Sequence, residues 1–493
     1  MAKVTFTISG LSKKFIFKTI GKDISALQKK LFRLQIATKL PPEFLPLHAC
    51  LLKKNNIGIL LTGPSQSGKS TLATLLNQIG FEPLANDFVA VTSEKNKLMA
   101  SDINYQSNSN HYLPTPIDYI FALNSKDELD ISRMSKKVFR HFYIEQLQPL
   151  SHKSVLPLTK RPLFKQLFLK HISLGNRKNP VKWLKSIKYI MSLSIPKKVG
   201  IFGLGTIGQD ISSLLLTQSN LSELHLFTRD QIKLASFVLD LKSANQKLVI
   251  IAHTKVEDFF NSSDIVILCF REDVSVTSSP QVEERVKKLL PHSKIIWDLS
   301  RVTRKVGFTG SILMVTNPVD LLSSLLYNFS WLNDQNQSDD QGLFSNQILG
   351  VGIGLDYKRL KTFKQTEKLE LVGPHGSDLQ LAQVKNGILT EANSKYLAGV
   401  ISYSDKIRLG CARTRVGPVY EINKILTTLL IGKGIIRASG LYHSGIFLGN
   451  IWRIKNHIPS TNYILDKKLQ KKLDQISAKQ NDLLQTTKID LFR

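Results

Sequence analysis

The sequence predicts an α/β chain of about three folding units, and three observations carry that expectation. The chain has 493 residues, of which 42% are hydrophobic and 21% charged, enough for more than one buried core. Twice, at residues 57–79 and 197–216, an apolar run leads through a glycine turn into a helix-like run. Strand followed by turn and helix is the unit from which helix-covered sheets are built.

Composition excludes several classes. With 28 Gly and 18 Pro the chain is neither fibrous nor disordered. Cys50, Cys269 and Cys411 lie far apart and form no CxxC pair, which argues against a disulfide framework and a zinc ribbon and for a reducing cytoplasm. The opening MAKVTFTISGLSKKF lacks the apolar core of a signal peptide, and no window of about 18 apolar residues is present, so no membrane span is expected. No internal repeat is visible.

Net charge is +29, compatible with an acidic partner, a membrane surface or a nucleic acid. From Ser151 to Lys198 there are twelve Lys or Arg and no Asp or Glu. Leucines and aromatics in that stretch, and the helical spacing of VKWLKSIKYIMSL, suggest an ordered basic connector and a candidate surface for an acidic partner. A solvated face is the equal alternative. Nucleic acid is disfavoured, because no RRM, KH or zinc pattern accompanies the charge.

The first chemical motif is TGPSQSGKST after the apolar run Ile57–Leu61. Gly63, Gly68, Lys69 and Ser70 fit GxxxxGK[ST], a P-loop. Backbone amides at a helix start would cradle polyphosphate, Lys69 would meet its terminal oxygens and the Ser70 hydroxyl would bind Mg2+. Ser65 and Thr71 complete the candidate ATP site. Asp87, in GFEPLANDFVAV, is placed to hold the metal or act as base.

With LHACLLKKNNIGILLTGPSQSGKSTLATLL, residues Leu45 to Leu123 resemble the catalytic core of HPr kinase/phosphorylase and related peptide-modifying kinases. His48, the P-loop and Asp87 fit the family's pattern, while Asn86 stands where a first aspartate is usual. The resemblance implies ATP- and Mg2+-dependent phosphorylation of a hydroxyl. Arg133, Lys136, Lys137 and Arg140 could complete a phosphate site or lie on the surface.

The second motif is KKVGIFGLGTIGQDISSLLL, in which Gly203, Gly205 and Gly208 make GxGxxG between a strand and a helix. Thr206 and Ile207 complete this Rossmann-type dinucleotide turn. About twenty residues on, at the ribose-recognition position, stand Thr228 and Arg229, a neutral then basic pair that suits NADP beside NAD.

Further along come VLDL at Val238–Leu241, SDIVIL at Ser263–Leu268, VTNPVD at Val315–Asp320, GLDYKR at Gly354–Arg359 and GPHG at Gly373–Gly376. In that order they resemble the lactate and malate dehydrogenases over Lys198 to Leu484. The resemblance implies a Rossmann half followed by an α+β substrate half. It assigns His375 to proton exchange, Asp356 to orienting it, Arg359 to the substrate carboxylate and Asn317 to a place near nicotinamide and substrate. Arg285 is the best match to the loop arginine that polarises the carbonyl, and Arg271 a weaker one. Val274–Ser279 carries no cation for a second carboxylate, which disfavours malate. Arg413 and Arg415 could meet an anionic substrate or be surface charge.

The expected organisation is a P-loop kinase-like domain over residues 1–150, a basic connector over 151–197, a Rossmann domain over 198–320 and a substrate domain over 321–493. The favoured activity is a bifunctional enzyme, NAD(P)-dependent on a 2-hydroxy or 2-oxo acid and ATP-dependent on a hydroxyl, tailoring a small, peptide-bound or carrier-bound substrate, with a homo-oligomer open. The alternatives are a kinase or scaffold whose dehydrogenase-like part senses dinucleotide without turnover, and a basic binding protein with both nucleotide sites vestigial.

Overall fold

The computed structural model describes residues 2–8, 14–19, 40, 42–55, 57–64, 67–86, 89–94, 97–104, 114–123, 131–132, 139–140, 142–143, 156–174, 180–192, 197–271, 288–339, 341–363, 368–376, 378–411, 414–455, 457–461 and 463–492. The chain divides into two units, Met1–Ser186 and Ile187–Arg493.

Unit 1 holds two sheets. One takes β1 (Ala2–Ile8), β2 (Lys14–Thr19), β3 (Leu45–Leu47), β7 (Val89–Glu94), β8 (Lys97–Asn104) and β9 (Thr115–Pro116), in the order β2-β1-β8-β7-β3 with β9 on β8. The other takes β4 (Ala49–Lys54), β5 (Ile57–Thr62), β6 (Glu82–Ala85), β10 (Tyr119–Leu123), β11 (Ile131–Ser132) and β12 (His171–Leu174), in the order β11-β12-β10-β5-β4-β6. Strand β5 runs parallel to β10 and antiparallel to β4, and its residues Ile59, Leu60 and Leu61 have no exposed surface. An unbroken apolar run is what a strand covered on both faces requires. Helix α1 (Lys69–Gln78) follows and buries Leu72, Ala73 and Leu76, one helical stripe.

Much of the basic stretch is part of this unit. Helix α2 (Pro162–Lys170) puts Leu163, Phe164 and Leu167 into the core of unit 1, and β12 pairs in parallel with β10. Helix α3 (Pro180–Ser192) has the amphipathic spacing read in VKWLKSIKYIMSL. Its Trp183 is 2% exposed and packs against Gly68 at the head of the P-loop. Trp183, Ile187 and Ile190 of this helix are buried, while Lys188 is exposed.

Unit 2 is built on one mixed sheet. Strands β13 (Lys197–Phe202), β14 (Leu221–Phe227), β15 (Val249–Ala252), β16 (Ile265–Leu268), β17 (Ser311–Met314) and β18 (Ile348–Gly350) run parallel in the order β15-β14-β13-β16-β17-β18. This is the doubly wound dinucleotide-binding order, with a switch point between β13 and β16. The sheet continues past the expected boundary at Asp320, through antiparallel β22 (Lys433–His443), β23 (Ile446–Lys455) and β24 (Ile458–Thr461).

Two cores lie against this sheet, and the strands show why. In β16, Ile265 and Ile267 join one cluster while Val266 and Leu268 join the other. Consecutive side chains point to opposite faces, so four apolar residues in a row serve two cores. One face receives helices α4 (Thr206–Leu215), α5 (Gln231–Ala244) and α11 (Val416–Ile431). The other receives α7 (Leu289–Lys305), α8 (Val319–Ser330) and α12 (Lys467–Phe492). Between them in the chain come α6 (Val256–Asn261), α9 (Ile353–Phe363) and α10 (Leu397–Cys411). A second sheet, in the order β19 (Leu369–Val372), β20 (Gln380–Lys385), β21 (Ile388–Glu391), β25 (Ile464–Leu465), completes the unit. Among the described residues no helix is long and apolar enough to cross a membrane.

Candidate active site

The glycine turn of unit 2 has the geometry of a close backbone approach. Gly203 has φ of +105°, and a Cβ on Gly208 would lie 2.0 Å from the Gly203 carbonyl oxygen. Only glycine lets the first turn of α4 sit so near β13. At Gly205 a Cβ would meet nothing within 4 Å, so the head of α4 is open on that side. Amide N–H groups at such a helix head suit a pyrophosphate. Thr228, half-buried, follows β14, and its carbonyl accepts Gln231 Nε2 at 2.9 Å. Arg229 is exposed, and Asp230 caps α5 by accepting the Lys233 amide at 2.9 Å.

The chemistry-bearing residues meet beyond the carboxyl ends of β17 and β18. Asn317 follows β17, and its carbonyl accepts the buried His292 Nδ1 at 2.9 Å. Asp356 and Arg359, three apart on α9, face the same side, as residues one turn apart must. Arg359 Nη1 donates to Asp356 Oδ1 at 2.9 Å, with side chains 7% and 1% exposed. The other carboxylate oxygen, Oδ2, accepts His375 Nδ1 at 2.6 Å and the Gly376 amide at 3.1 Å. Gly352 makes room, since a Cβ there would sit 2.4 Å from His375 Cγ. The GPHG turn is anchored to β23 by paired backbone bonds between Gly373 and Gly449, at 3.0 and 2.9 Å.

One further residue fixes the histidine and escaped the reading of the motifs. Asp320, on the first turn of α8, accepts the backbone N–H of His375 through Oδ2 at 2.8 Å and the Ser439 hydroxyl through Oδ1 at 2.5 Å. Its carboxyl is pushed above the usual range by burial, with these hydrogen bonds opposing the shift. Asp320 stands in VTNPVD beside Asn317, and nothing local in that motif marks the partners its carboxylate finds.

A cleft is lined by Asn317, Arg359, His375, Ser404, Thr414 and Glu421, along with apolar neighbours. Of the expected site residues, His375, Asp356, Arg359 and Asn317 are thus brought together. Arg415 instead makes a bidentate pair with Asp210 of α4, at 2.5 Å for each bond. Arg271 is exposed just after β16, and Arg285 and Arg413 lie outside the described residues.

In unit 1, α1 starts at Lys69 directly after Gly68, whose φ is +90°. Lys69 Nζ, buried, donates to the carbonyls of Gly63 and Pro64, both at 2.9 Å. Ser70 and Thr71 are exposed on the first turn of α1, and Ser67 is buried. His48 is buried, and its carbonyl accepts Thr62 Oγ1 at 3.2 Å. Asn86 and Arg140 are exposed, whereas Ser65, Asp87, Arg133, Lys136 and Lys137 lie outside the described residues. Among the described residues no three His, Cys, Asp or Glu side chains gather as a metal site.

Comparison with known proteins places the second motif. Residues 197–338 match the family described as lactate/malate dehydrogenase, NAD binding domain. This domain holds the glycine turn, Thr228 and Asn317. An L-lactate dehydrogenase of Fusobacterium nucleatum subsp. nucleatum is 25% identical over 204 residues, 39% of this chain and 58% of that protein. An L-lactate dehydrogenase 2 of Listeria innocua is 27% identical over 178 residues, 36% of this chain and 52% of that protein. The chain thus spans about half the length of the curated relatives it matches. Among solved structures, malate dehydrogenase of Archaeoglobus fulgidus in complex with NADH is 18% identical with a TM-score of 0.49, covering 59% of this chain and 99% of that one.

Proposed function

We propose that unit 2 is an NAD(P)-dependent oxidoreductase of a 2-hydroxy or 2-oxo acid. The observation that carries this reading is the contact of His375 Nδ1 with Asp356 at 2.6 Å beside the buried Arg359. Gly203, Gly205, Thr206, Ile207 and Gly208 would hold the dinucleotide pyrophosphate, and the open side of Gly205 fits that task. The neutral Thr228 followed by Arg229 suits a 2′-phosphate, so NADP stands beside NAD. A bound nicotinamide dinucleotide supplies the hydride acceptor or donor.

The protein's own residues do the rest. In the oxidative direction His375 takes the hydroxyl proton through Nε2 while Asp356 at Nδ1 stabilises the imidazolium that forms. Arg359 clamps the substrate carboxylate, and Asn317 orients the carbon from which hydride leaves. In reverse, His375 returns the proton to the carbonyl oxygen.

For unit 1 the reading is a P-loop that binds ATP with Mg2+, supported by the strand, loop and helix and by the left-handed Gly68 ahead of Lys69. Ser70 would bind the metal with Asp87, and the γ-phosphate would pass to a hydroxyl of a peptide-bound or carrier-bound substrate. The basic surface of α2 and α3 would receive an acidic partner, and a homo-oligomer is compatible with this reading.

The test is titration of the full chain with NADH, NADPH and ATP plus Mg2+, followed by turnover of 2-oxo acids. Expected are two independent sites, with Lys69→Ala losing only ATP and Gly205→Asp only dinucleotide. Dinucleotide binding with turnover absent in wild type would instead favour a sensor.

A further inference from the structure

The cleft carries a carboxylate that the proposed hydride transfer does not use. Glu421, on α11, is 1% exposed and lines the cleft with Asn317, Arg359 and His375. Among the described residues it is the acidic side chain on that lining. Its Oε2 meets Lys358 Nζ at 2.6 Å, and Lys358 in turn lies 3.9 Å above the Tyr420 ring. Its Oε1 sits over α9, where a Cβ on Gly354 would come within 2.0 Å of it. The glycine in GLDYKR therefore clears space for a carboxylate beside the residues that hold His375.

Further charges lie behind it: the Glu421 carboxylate also attracts Lys424, opposing the lowering of that lysine's pKa by burial. Arg437 makes a bidentate pair with Glu370 at 2.7 and 2.6 Å and stacks 3.5 Å from the Tyr357 ring. A carboxylate offers about four acceptor positions, and one cation does not fill them. A buried acceptor beside a substrate selects for a donor over a further acceptor, because an acceptor placed against it leaves both without a proton to share.

We infer that Glu421 is a specificity-determining residue that accepts a hydrogen bond from an N–H or O–H on the substrate side chain, so that the substrate is a donor-bearing 2-oxo acid of the amide or alcohol type. This rests on the hydride-transfer reading of the cleft and deepens it.

The test compares 2-oxosuccinamate with oxaloacetate, which differ by an amide in place of a carboxylate. NADH oxidation is followed for the full-length wild type, Glu421→Gln and Glu421→Asp. Wild type should favour the amide by at least about tenfold in kcat/KM. Glu421→Gln, which supplies a donor and releases Lys358, should bring the ratio to one or invert it, with NADH affinity unchanged. Glu421→Asp should keep the direction of preference. Equal turnover of both compounds by wild type, or a preference untouched in a folded Glu421→Gln, overturns the role of Glu421 and leaves hydride transfer standing. If the chain binds NADH and reduces neither compound but does reduce another 2-oxo acid, the role of Glu421 falls and hydride transfer stands; if it reduces no 2-oxo acid, both readings fall. Should Glu421→Gln not fold, the wild-type ratio and Glu421→Asp still decide.

Discussion

Asp320 accepts the backbone N–H of His375 at 2.8 Å, so a buried carboxylate on α8 holds the main chain of the residue whose side chain Asp356 orients. Two aspartates thus fix one histidine from opposite ends, one by its backbone and one by its ring. Replacing Asp320 by Ala leaves the His375 amide and the Ser439 hydroxyl without their acceptor. The expected cost is about 1–3 kcal/mol of stability, with slowed turnover. Thermal unfolding alongside kinetics measures both, and an unchanged unfolding midpoint would contradict the assignment.

His375→Asn should lower 2-oxo acid reduction by about a hundredfold or more, because the proton then has no relay. Asp356→Asn should do nearly as much, since an amide neither orients the ring as Asp356 does nor stabilises imidazolium. NADH binding measured by fluorescence should survive in both. Full activity in His375→Asn would remove the histidine from the mechanism, and full activity in Asp356→Asn would remove the aspartate that orients it.

The glycine turn separates space from chemistry. Gly205→Asp should leave the fold intact, because a Cβ there meets nothing within 4 Å, yet abolish dinucleotide binding by placing a negative charge at the helix head. Gly208→Ala should destabilise unit 2, because its Cβ would press on the Gly203 carbonyl. Circular dichroism melts with NADH titrations distinguish the two, and equal destabilisation would refute the contrast.

A buried histidine pair sets a pH response. His225 Nδ1 lies 2.8 Å from His253 Nε2, and its Nε2 lies 3.0 Å from Glu223. A neutral His225 satisfies both contacts by accepting from His253 and donating to Glu223. Burial first, and the neighbouring His253 next, push its pKa down from 6.5 to about 4. Below about 6.5 the unfolded chain therefore binds a proton the folded chain refuses, so stability is lost as pH falls from 6.5 towards 4. The expected loss is up to about 3 kcal/mol. Denaturant titrations across that range should show it, and should show less of it in His225→Asn; a flat profile would count against the neutral pair.

How much was legible follows from what each residue depends on. The βα turns were readable because their glycines answer to local demands, a left-handed φ at Gly203 and Gly68 and a near contact at Gly208. His375, Asp356, Arg359 and Asn317 stand out as candidates because each sits in a motif of the dehydrogenase resemblance, and the fold sets them beside one another. Asp320 was in view and its task was not, since nothing in VTNPVD shows that the His375 amide and Ser439 would meet its two oxygens. For Arg415 the sequence leaves a substrate contact and surface charge both open, and the structure pairs it with Asp210 of α4. The basic stretch was charged and apolar together, and only pairing of β12 with β10 shows that its apolar residues complete the core of unit 1.

The sequence by itself determined the local elements: apolar runs long enough for strands, glycines where only glycine fits, and helices with one apolar stripe. Tertiary structure alone decided which distant side chains share a cleft. Parallel strands β17 and β18 end at the same edge of the sheet, which puts Asn317 and the start of α9 side by side. The packing of α11 on the same sheet brings Glu421 over Gly354, a contact set by how helices settle on a common core and written in no local pattern.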